Sequence, residues 1–424
     1  MNIIGKQQKM IYLIVVLIIG ILAGISLLRG VANATGATDS GMSIDFHCYW
    51  GPAQALIQGT DPYAAVLSDT LPALANNQGL PNTPANSPLM LVILSPLALL
   101  QWPAARLTWA LANVLLGLLI PLLAMRLLPY KVNGWALLLL ELVFFAMLPT
   151  RNVIGNGQTS LFVLATALLA VGIARDRPWL AGVLLGIAIS KYSLTLPVML
   201  WFLMYGYFTA AMVAVGMQAA GLLMISAVSG TSPFIVLKEY FLIASPHIAV
   251  LGDLDLRSLG IRLGVSPGAI IASIVFVSIA SILPLVSYLY ANKGQHIRRQ
   301  DDRAVQLSLL AILLTLPLLI VYHAVYDGIV LIILPVVMAA SWRNKSEPAL
   351  RAASPKAVLG LPAAVVVLVL ILLMLPNFLA IKIWPSWDNI YPLITGVDGI
   401  IAWGISLWLF EISGRFKTSM TSDQ

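Results

Sequence analysis

Long apolar runs recur along almost the whole chain, and they constrain its fold more than any other feature. Hydrophobic residues make up 60% of the 424 residues and charged residues only 10%, whereas soluble domains average about 45–50% and 25%. Runs long enough to cross a bilayer form helices, because lipid offers no partner for free backbone groups. The sequence therefore predicts an all-α polytopic membrane protein, with residues 1–424 forming a single domain.

Basic residues are concentrated in connections that can all face one side of a membrane. Sixteen of the 24 Lys and Arg residues lie in such connections: Lys6, Lys9, Arg126, Lys131, Arg175, Arg177, Lys293, Arg298, Arg299, Arg303, Arg343, Lys345, Arg351, Lys356, Arg415 and Lys417. Since positive loops mark the cytoplasmic side, the pattern predicts about twelve transmembrane helices with both termini in the cytoplasm. The predicted spans lie near 10–29, 104–128, 133–149, 158–174, 179–191, 194–206, 207–229, 267–291, 304–322, 327–341, 357–380 and 397–413. This distribution accounts for the net charge of +7 without nucleic-acid binding.

Some segments do not fit a simple row of crossings. The spans predicted at 179–191 and 194–206 are shorter than the roughly 20 residues of a lipid-facing helix, so we expect a hairpin sheltered by other helices. The apolar piece 88–100 is predicted to be re-entrant or interfacial. Two long loops, 30–87 and 230–266, remain on the external side. Each carries an amphipathic stretch, YWGPAQALIQG and FIVLKEYFLIA, which predicts interfacial helices beside a functional site on this face.

The stretch SIDFHCYW, from Ser43 to Trp50, places reactive side chains just beyond the first span. A partly shielded carboxylate at Asp45 suits a general base. An N-cap for a helix that begins near Phe46 or His47 is an equally good interpretation. His47 is either a ligand-positioning or a structural residue, Tyr49 is a candidate for donor contact, and Cys48 is expected to pack.

Two further polar motifs lie on or near the external side. RNVIGNGQTS supplies Arg151, Asn156 and Gln158, which suit a hydroxyl-rich or phosphate-bearing ligand, although ordinary helix capping also explains its Gly and Asn residues. Lys191 lies between the two short helices of the hairpin. A cation at membrane depth favours binding of a lipid-linked phosphate, and snorkelling towards the headgroups is the alternative.

The remaining candidates lie in the second half of the chain. YHAVYDG carries His323 and Asp327, which suit orientation of a base or recognition of sugar hydroxyls, or form a structural pair with the neighbouring tyrosines. Asp253 to Asp255 read DLD, a three-residue match to a metal-binding motif of nucleotide-sugar transferases, but short matches are common. We expect neither a metal nor a cofactor, and Arg257 beside this motif is a candidate phosphate contact.

Several of these motifs, in order, resemble glycosyltransferase family 87. The resemblance rests on Asp45 in the first external loop, followed by YWGPAQALIQGTDPYA, NSPLMLVILSPLALL, NGQTSLFVLATALLAVGIARDRPWLAGVLLGIAISKYSLTLPVML and YHAVYDGIVLIILP. It implies the C-type glycosyltransferase fold and inverting transfer from a polyprenyl-phosphate sugar, with Asp45 as base. It also matches His323 and Lys191 to family positions. Asn86-Ser87-Pro88 stands where the family often has Tyr-Pro-Pro.

The sequence thus favours a bacterial inner-membrane enzyme that transfers a hexose, with mannose as the first choice. The donor would be a polyprenyl-phosphate sugar, the acceptor a lipid or glycan on the external or periplasmic face, and membrane lipids the surroundings. A transporter or flippase of lipid-linked sugars is the main alternative, and it predicts ionisable groups near the bilayer midplane. A scaffold of a cell-envelope complex is a third, which leaves Lys191 and His323 unexplained.

Overall fold

The computed structural model describes residues 3–36, 43–71, 83–246, 252–291, 303–344, 366–374 and 394–410, and these residues form helices and no strand. This confirms the all-α prediction for the described part of the chain. The helices are α1 (Ile3–Thr35), α2 (Ile44–Ile57), α3 (Pro62–Leu67), α4 (Pro88–Leu94, extended by a 3₁₀ turn over Ser95–Leu99), α5 (Trp102–Arg126), α6 (Gly134–Ala146), α7 (Leu148–Asn156), α8 (Ser160–Ile173), α9 (Pro178–Ala188), α10 (Tyr192–Thr195), α11 (Val198–Met204), α12 (Phe208–Ser229), α13 (Pro233–Ala244), α14 (Leu256–Arg262), α15 (Pro267–Ala291), α16 (Arg303–Ile320), a 3₁₀ helix (Val325–Ile332) and α17 (Ile333–Asn344). Residues 366–374 and Ile394–Phe410 are also helical.

Five described helices are long and apolar enough to cross a membrane: Tyr12–Thr35, Trp102–Arg126, Phe208–Ser229, Pro267–Ser287 and Arg303–Ile320. Helices α6 and α7 together make a sixth candidate, bent by 62° between them. Pro149 lies in the first turn of α7, where its ring and missing N–H favour a new helix start over continuation of α6. The chain is therefore a multi-pass membrane protein with five or six spans supported by length and composition.

The other predicted spans have shorter counterparts. The predictions at 158–174, 179–191, 327–341 and 397–413 correspond to the apolar helices Ser160–Ile173, Pro178–Ala188, Val325–Ser341 and Ile394–Phe410. The prediction at 194–206 is divided between α10 and α11, and most of 357–380 lies outside the described residues. Helices enclosed by other helices need not match the thickness of the bilayer. Twelve crossings therefore stay a prediction.

Close packing of α9 on α12 fixes the segment that leads to Lys191. A Cβ atom on Gly182 would lie 2.6 Å from the Cβ of Val213, and one on Gly186 would lie 2.7 Å from the Cβ of Met217. The two helix backbones approach to a distance that only small residues allow, as in other small-xxx-small contacts. Gln218 of α12 also donates a hydrogen bond to the Gly186 carbonyl (2.6 Å).

The two amphipathic stretches differ in their surroundings. α13 exposes Phe234 (83%) and Phe241 (57%), as a helix at a membrane surface would. α2 is instead buried along most of its length, because α3, α4 and the 3₁₀ turn after α4 pack around it. The prediction of an interfacial helix therefore suits α13 better than α2. The predicted re-entrant or interfacial piece 88–100 consists of α4 and its 3₁₀ turn.

Candidate functional site

A buried carboxylate, Asp327, joins three distant parts of the chain. Its Oδ1 lies 2.6 Å from Lys191 Nζ and accepts a hydrogen bond from Ser160 Oγ (2.6 Å). Its Oδ2 lies 2.7 Å from His323 Nδ1. Asp327 is only 2% exposed, and charge-assisted hydrogen bonds of this length are among the strongest in proteins. These four residues are called the Asp327 cluster below.

Lys191 lies at the break between α9 and α10, as the sequence predicted, and it is 6% exposed. Its ammonium group contacts Asp327 and Ser160 at 2.6 Å and Gln158 Oε1 at 3.3 Å, and it lies 5.0 Å from the centre of the Tyr326 ring. An ammonium group has three N–H donors, and three oxygens are in contact with it. Direct binding of a phosphate by Lys191 would therefore require exchange of one of these partners.

His323 is fully buried, and both of its ring nitrogens are in hydrogen bonds. Nδ1 faces Asp327, and Nε2 lies 3.0 Å from the Ser193 carbonyl oxygen. A carbonyl and a carboxylate both accept hydrogen bonds, so each ring nitrogen faces an acceptor. The structure places His323 against Asp327 rather than Asp45. Its contact with Oδ2 holds Asp327 from one side of the cluster.

The DLD segment, Asp253 to Asp255, forms hydrogen bonds that fix the backbone around His323. The backbone amides of Asp253 and Leu254 donate to the His323 carbonyl (2.8 and 3.2 Å), and Asp253 Oδ2 accepts from the Val325 amide (3.0 Å). Asp255 caps α14 by accepting from the Ser258 amide (2.8 Å). Both acids therefore have structural partners within the protein, which for Asp255 also include the Ser258 hydroxyl (2.8 Å). Nowhere in the described ranges do three His, Cys, Asp or Glu side chains come together as metal ligands would.

Asp45 lies in the first turn of α2, and the N-cap interpretation is wrong because this helix begins one residue earlier, at Ile44. Ser43 is the N-cap; its hydroxyl donates to the Ala34 carbonyl (3.1 Å) and its amide to the Gly155 carbonyl (3.3 Å). These bonds hold the start of α2 against the ends of α1 and α7. The sequence pattern predicted a helix start near Phe46 or His47, because Asp45 resembles a capping residue. The helix in fact begins before Asp45.

The carboxyl of Asp45 is hydrogen-bonded by Gln158 and Asn156 and lies within electrostatic range of Lys191 and Asp327. Burial raises the pKa of Asp45 above its usual value of 3.8. The charge of Asp327 acts in the same direction, whereas the two amide hydrogen bonds and the Lys191 charge oppose it. Asp45 is therefore an ionisable group with a raised pKa next to a charged cluster, which makes it a candidate functional residue.

Gly157 brings the two amides to Asp45. It ends α7 with φ +68°, a left-handed conformation that favours glycine. A Cβ atom here would lie 2.7 Å from the Phe46 Cβ. Both the backbone conformation and the lack of space therefore exclude a side chain at this position. The Gly157 carbonyl also accepts from Trp109 Nε1 (2.7 Å). This glycine fixes the turn between α7 and α8 that carries Asn156 and Gln158.

The neighbours of Asp45 in the sequence belong to the core. His47 is fully buried and packs edge-on against Trp102, with ring centres 4.7 Å apart. Tyr49 is also buried, and its hydroxyl accepts from the Asn86 amide (3.3 Å). Burial raises the pKa of Cys48 to about 12, so its thiol stays protonated. The structure gives these three residues packing contacts and brings none of them to the Asp327 cluster.

Two arginines remain as candidates for a ligand phosphate. Arg151, in α7, is half-buried and donates from Nε to Asn152 Oδ1 (3.3 Å). Arg257, in the first turn of α14, is also half-buried. Contact of either arginine with a ligand phosphate is therefore a proposal.

The sequence did not identify every member of this site. Ser160 bridges Lys191 and Asp327, yet in the sequence it is indistinguishable from any serine at a helix start. The Ser193 carbonyl, which holds His323, carries no side-chain signal. Asn86 also links the region, since its Nδ2 donates to Thr159 Oγ1 (2.8 Å). Such contacts arise from tertiary packing and have no local motif.

Taken together, the long apolar helices and the enclosed polar cluster define a multi-pass membrane protein with a buried group of charged and polar side chains. The sequence model of glycosyltransferase family 87 matches residues 85–321, which is more than half of the chain. The protein therefore belongs to this family. This confirms the resemblance seen in the sequence. The matched range contains Lys191 and Gln158, whereas Asp45, His323 and Asp327 lie outside it. No curated protein and no solved structure matches the chain.

Proposed function

We propose that this membrane glycosyltransferase uses a polyprenyl-phosphate sugar, with mannose as the first candidate, and transfers the hexose with inversion to a lipid or glycan acceptor. Asp45 is the base. The observation that carries the proposal is the position of Asp45, a half-buried acid with hydrogen bonds from two amides and the charges of Lys191 and Asp327 nearby. Family membership supports the reaction class. The proposal includes the C-type glycosyltransferase fold, twelve crossings and a site on the external face of a bacterial inner membrane.

The chemistry is a single displacement. Asp45 takes the proton of an acceptor hydroxyl, and the acceptor oxygen forms a bond to the anomeric carbon of the donor. The bond from that carbon to the phosphate oxygen breaks, and polyprenyl phosphate leaves with the bonding electrons. A carboxylate can supply about 10²–10⁴-fold as a general base.

The Asp327 cluster supplies the electrostatic setting. Lys191 places positive charge beside the Asp327 carboxylate in a buried environment, and preorganised charge of this kind stabilises a developing anion. His323 and Asp327 act by positioning Lys191, since their polar atoms are already in internal contacts. Arg151 and Arg257 are the proposed phosphate contacts, and Asn156 and Gln158 hold Asp45 and meet the sugar or acceptor hydroxyls.

A transfer assay in nanodiscs tests this function. Radiolabelled polyprenyl-phosphate mannose is supplied with a membrane extract to the wild type, to Asp45→Asn and to Asp69→Asn. Asp69 is an exposed acid with φ +54°, a conformation that asparagine tolerates, and it is the matched control. We expect labelled product from the wild type and Asp69→Asn, and a loss of at least 100-fold in Asp45→Asn.

Two outcomes would contradict the proposal. Full turnover by a correctly folded Asp45→Asn variant would remove Asp45 as the base. Absence of transfer from mannose, arabinofuranose and other lipid-linked donors, with donor binding intact, would favour the transporter, which movement of a labelled donor across liposomes would then establish.

A further inference from the structure

An apolar crevice of about 550 Å³ lies between α1, α6, α17 and residues 366–374. All fourteen lining residues are apolar, and they include Val15 and Leu22 of α1, Leu139 of α6 and Met125 at the end of α5. Cavities that hold small ligands have volumes of about 300–1,000 Å³. The crevice therefore has the size and the chemistry to take a hydrocarbon chain.

The crevice lies at the end of the bundle away from the Asp327 cluster. Gly30 of α1 lies against Arg151 and Ile154, near the level of Asp45. At 1.5 Å per residue, Val15 and Leu22 are about 22 Å and about 12 Å along α1 from Gly30. The hydrocarbon core of a bilayer is about 30 Å thick. The lining therefore belongs mostly to the opposite leaflet, and its length along α1 is about 10 Å, less than one leaflet.

Positive charge and an exposed indole mark one end of the crevice. Met125 and Ala136 both line it, so the connection between α5 and α6 closes that end. Arg126 and Lys131 flank or belong to this connection, and both are exposed. Trp135, next to Ala136, is 63% exposed. Tryptophan at the membrane–water boundary and basic residues beside an apolar groove are the features that hold an anionic lipid headgroup.

We propose that the crevice binds an acyl chain of an anionic phospholipid from the leaflet opposite the Asp327 cluster, with the headgroup phosphate against Arg126 and Lys131. The charge distribution predicts that this leaflet is cytoplasmic. The tail of the sugar donor is the competing occupant. It is disfavoured because the donor phosphate must lie at the Asp45 end, and because the crevice matches a chain confined to one leaflet. The proposal does not depend on the identity of the transferred sugar.

Lipid titration of the delipidated full-length protein, followed by native mass spectrometry, tests the site. Phosphatidylglycerol and phosphatidylcholine with identical acyl chains are the probes. We expect one phosphatidylglycerol to bind at least tenfold more tightly than phosphatidylcholine. Arg126→Gln combined with Lys131→Gln should remove this preference. Arg175→Gln combined with Arg177→Gln should retain it, because these exposed residues lie on another connection.

A second pair of variants tests the crevice itself. Leu139→Trp fills the lining, whereas Leu138→Trp changes an adjacent residue that is 42% exposed and is not part of the lining. Only Leu139→Trp should weaken phosphatidylglycerol binding, by about tenfold or more. If it fails to fold, the charge variants still decide the question.

Three results would overturn the proposal. One is equal binding of phosphatidylglycerol and phosphatidylcholine by the wild type. Another is equal binding by the two tryptophan variants when both are folded. The third is displacement of phosphatidylglycerol by equimolar polyprenyl phosphate, which would assign the crevice to the donor tail. All of these experiments measure lipid binding and not sugar transfer. A failure of this proposal can therefore be distinguished from a failure of the proposed reaction.

Discussion

The chain carries two closely spaced pairs of aspartate and histidine, and the structure uses them differently. In the second pair, His323 and Asp327 contact each other at 2.7 Å and share the Asp327 cluster. In the first, Asp45 and His47 lie two residues apart on a helix, where side chains do not face each other. Asp45 turns to Gln158 and Asn156, and His47 packs among tryptophans. Similar residues thus form one internal scaffold and one separate acid.

The difference lies in the partners of each carboxylate. Asp327 receives three donors, two of them on basic side chains, and a carboxylate so placed stays ionised and holds its neighbours in position. Asp45 is half-buried and receives hydrogen bonds from neutral amides, and its pKa is raised rather than lowered. Both stretches place an acid and an imidazole within a few residues, so their composition does not distinguish the two carboxylates. The residues that surround each carboxylate in the fold distinguish them.

The largest effect is expected from Asp327→Ala, which leaves the buried Lys191 and His323 without their carboxylate. Removal of one partner of a buried charge pair costs about 3–5 kcal/mol. Thermal unfolding in detergent, compared with the exposed control Asp176→Ala, measures it. Adding Lys191→Met to Asp327→Ala should restore part of the loss. Equal stability of the Asp327→Ala and Asp176→Ala variants would show that the cluster is not a scaffold.

The next prediction concerns pH. A base acts when deprotonated, and burial raises the pKa of Asp45 above 3.8. Transfer should therefore be constant at high pH and fall about tenfold per pH unit below that raised pKa. The measurement is kcat/KM against pH, with donor binding followed in parallel to separate effects on KM. A rate that increases as the pH falls would mean that Asp45 acts as an acid and would break the distinction from Asp327.

A smaller effect is expected at His47. His47→Phe keeps a buried ring among Trp50 and Trp102, and we expect transfer within about threefold of the wild type, because this ring packs against tryptophans rather than against the Asp327 cluster. His323→Phe removes both ring donors and should reduce kcat by at least tenfold. Steady-state transfer kinetics compares them. If the His47 variant loses as much activity as the His323 variant, the two histidines have equivalent roles.

The smallest effect is expected from Cys48→Ala. The thiol is hydrogen-bonded within α2 to the Ile44 carbonyl (3.6 Å), and with a pKa near 12 it is not a nucleophile at neutral pH. Transfer should stay within about twofold, and stability should fall by about 1 kcal/mol for the atoms removed. A maleimide that inactivates the folded wild type but not the alanine variant would show that this thiol is accessible and functional.

The sequence predicted the helical membrane class, the break that carries Lys191 and the family, because apolar runs, charge and ordered motifs are local signals. It could not decide whether Asp45 caps α2, since that depends on where the helix begins, and it could not show the amides that reach Asp45 from a turn about 110 residues later. It also could not show that His47 and Tyr49 are buried by tertiary packing, and their predicted ligand contacts stay a prediction. The number of membrane crossings does not follow from helix length alone. A lipid-facing helix must be long enough to cross the bilayer, whereas a helix enclosed by protein can be shorter.

The Lys191–Asp327 contact also bears on how the protein is made. Its two residues are 136 positions apart in the chain. At about 5–20 residues per second of synthesis, the ribosome needs roughly 7–27 s to reach Asp327 after Lys191 has been added. During this interval the lysine lies between nascent apolar helices without its carboxylate, an arrangement that lipid opposes. The segment between α9 and α10 therefore acquires its ion pair only after the second half of the chain has been synthesised.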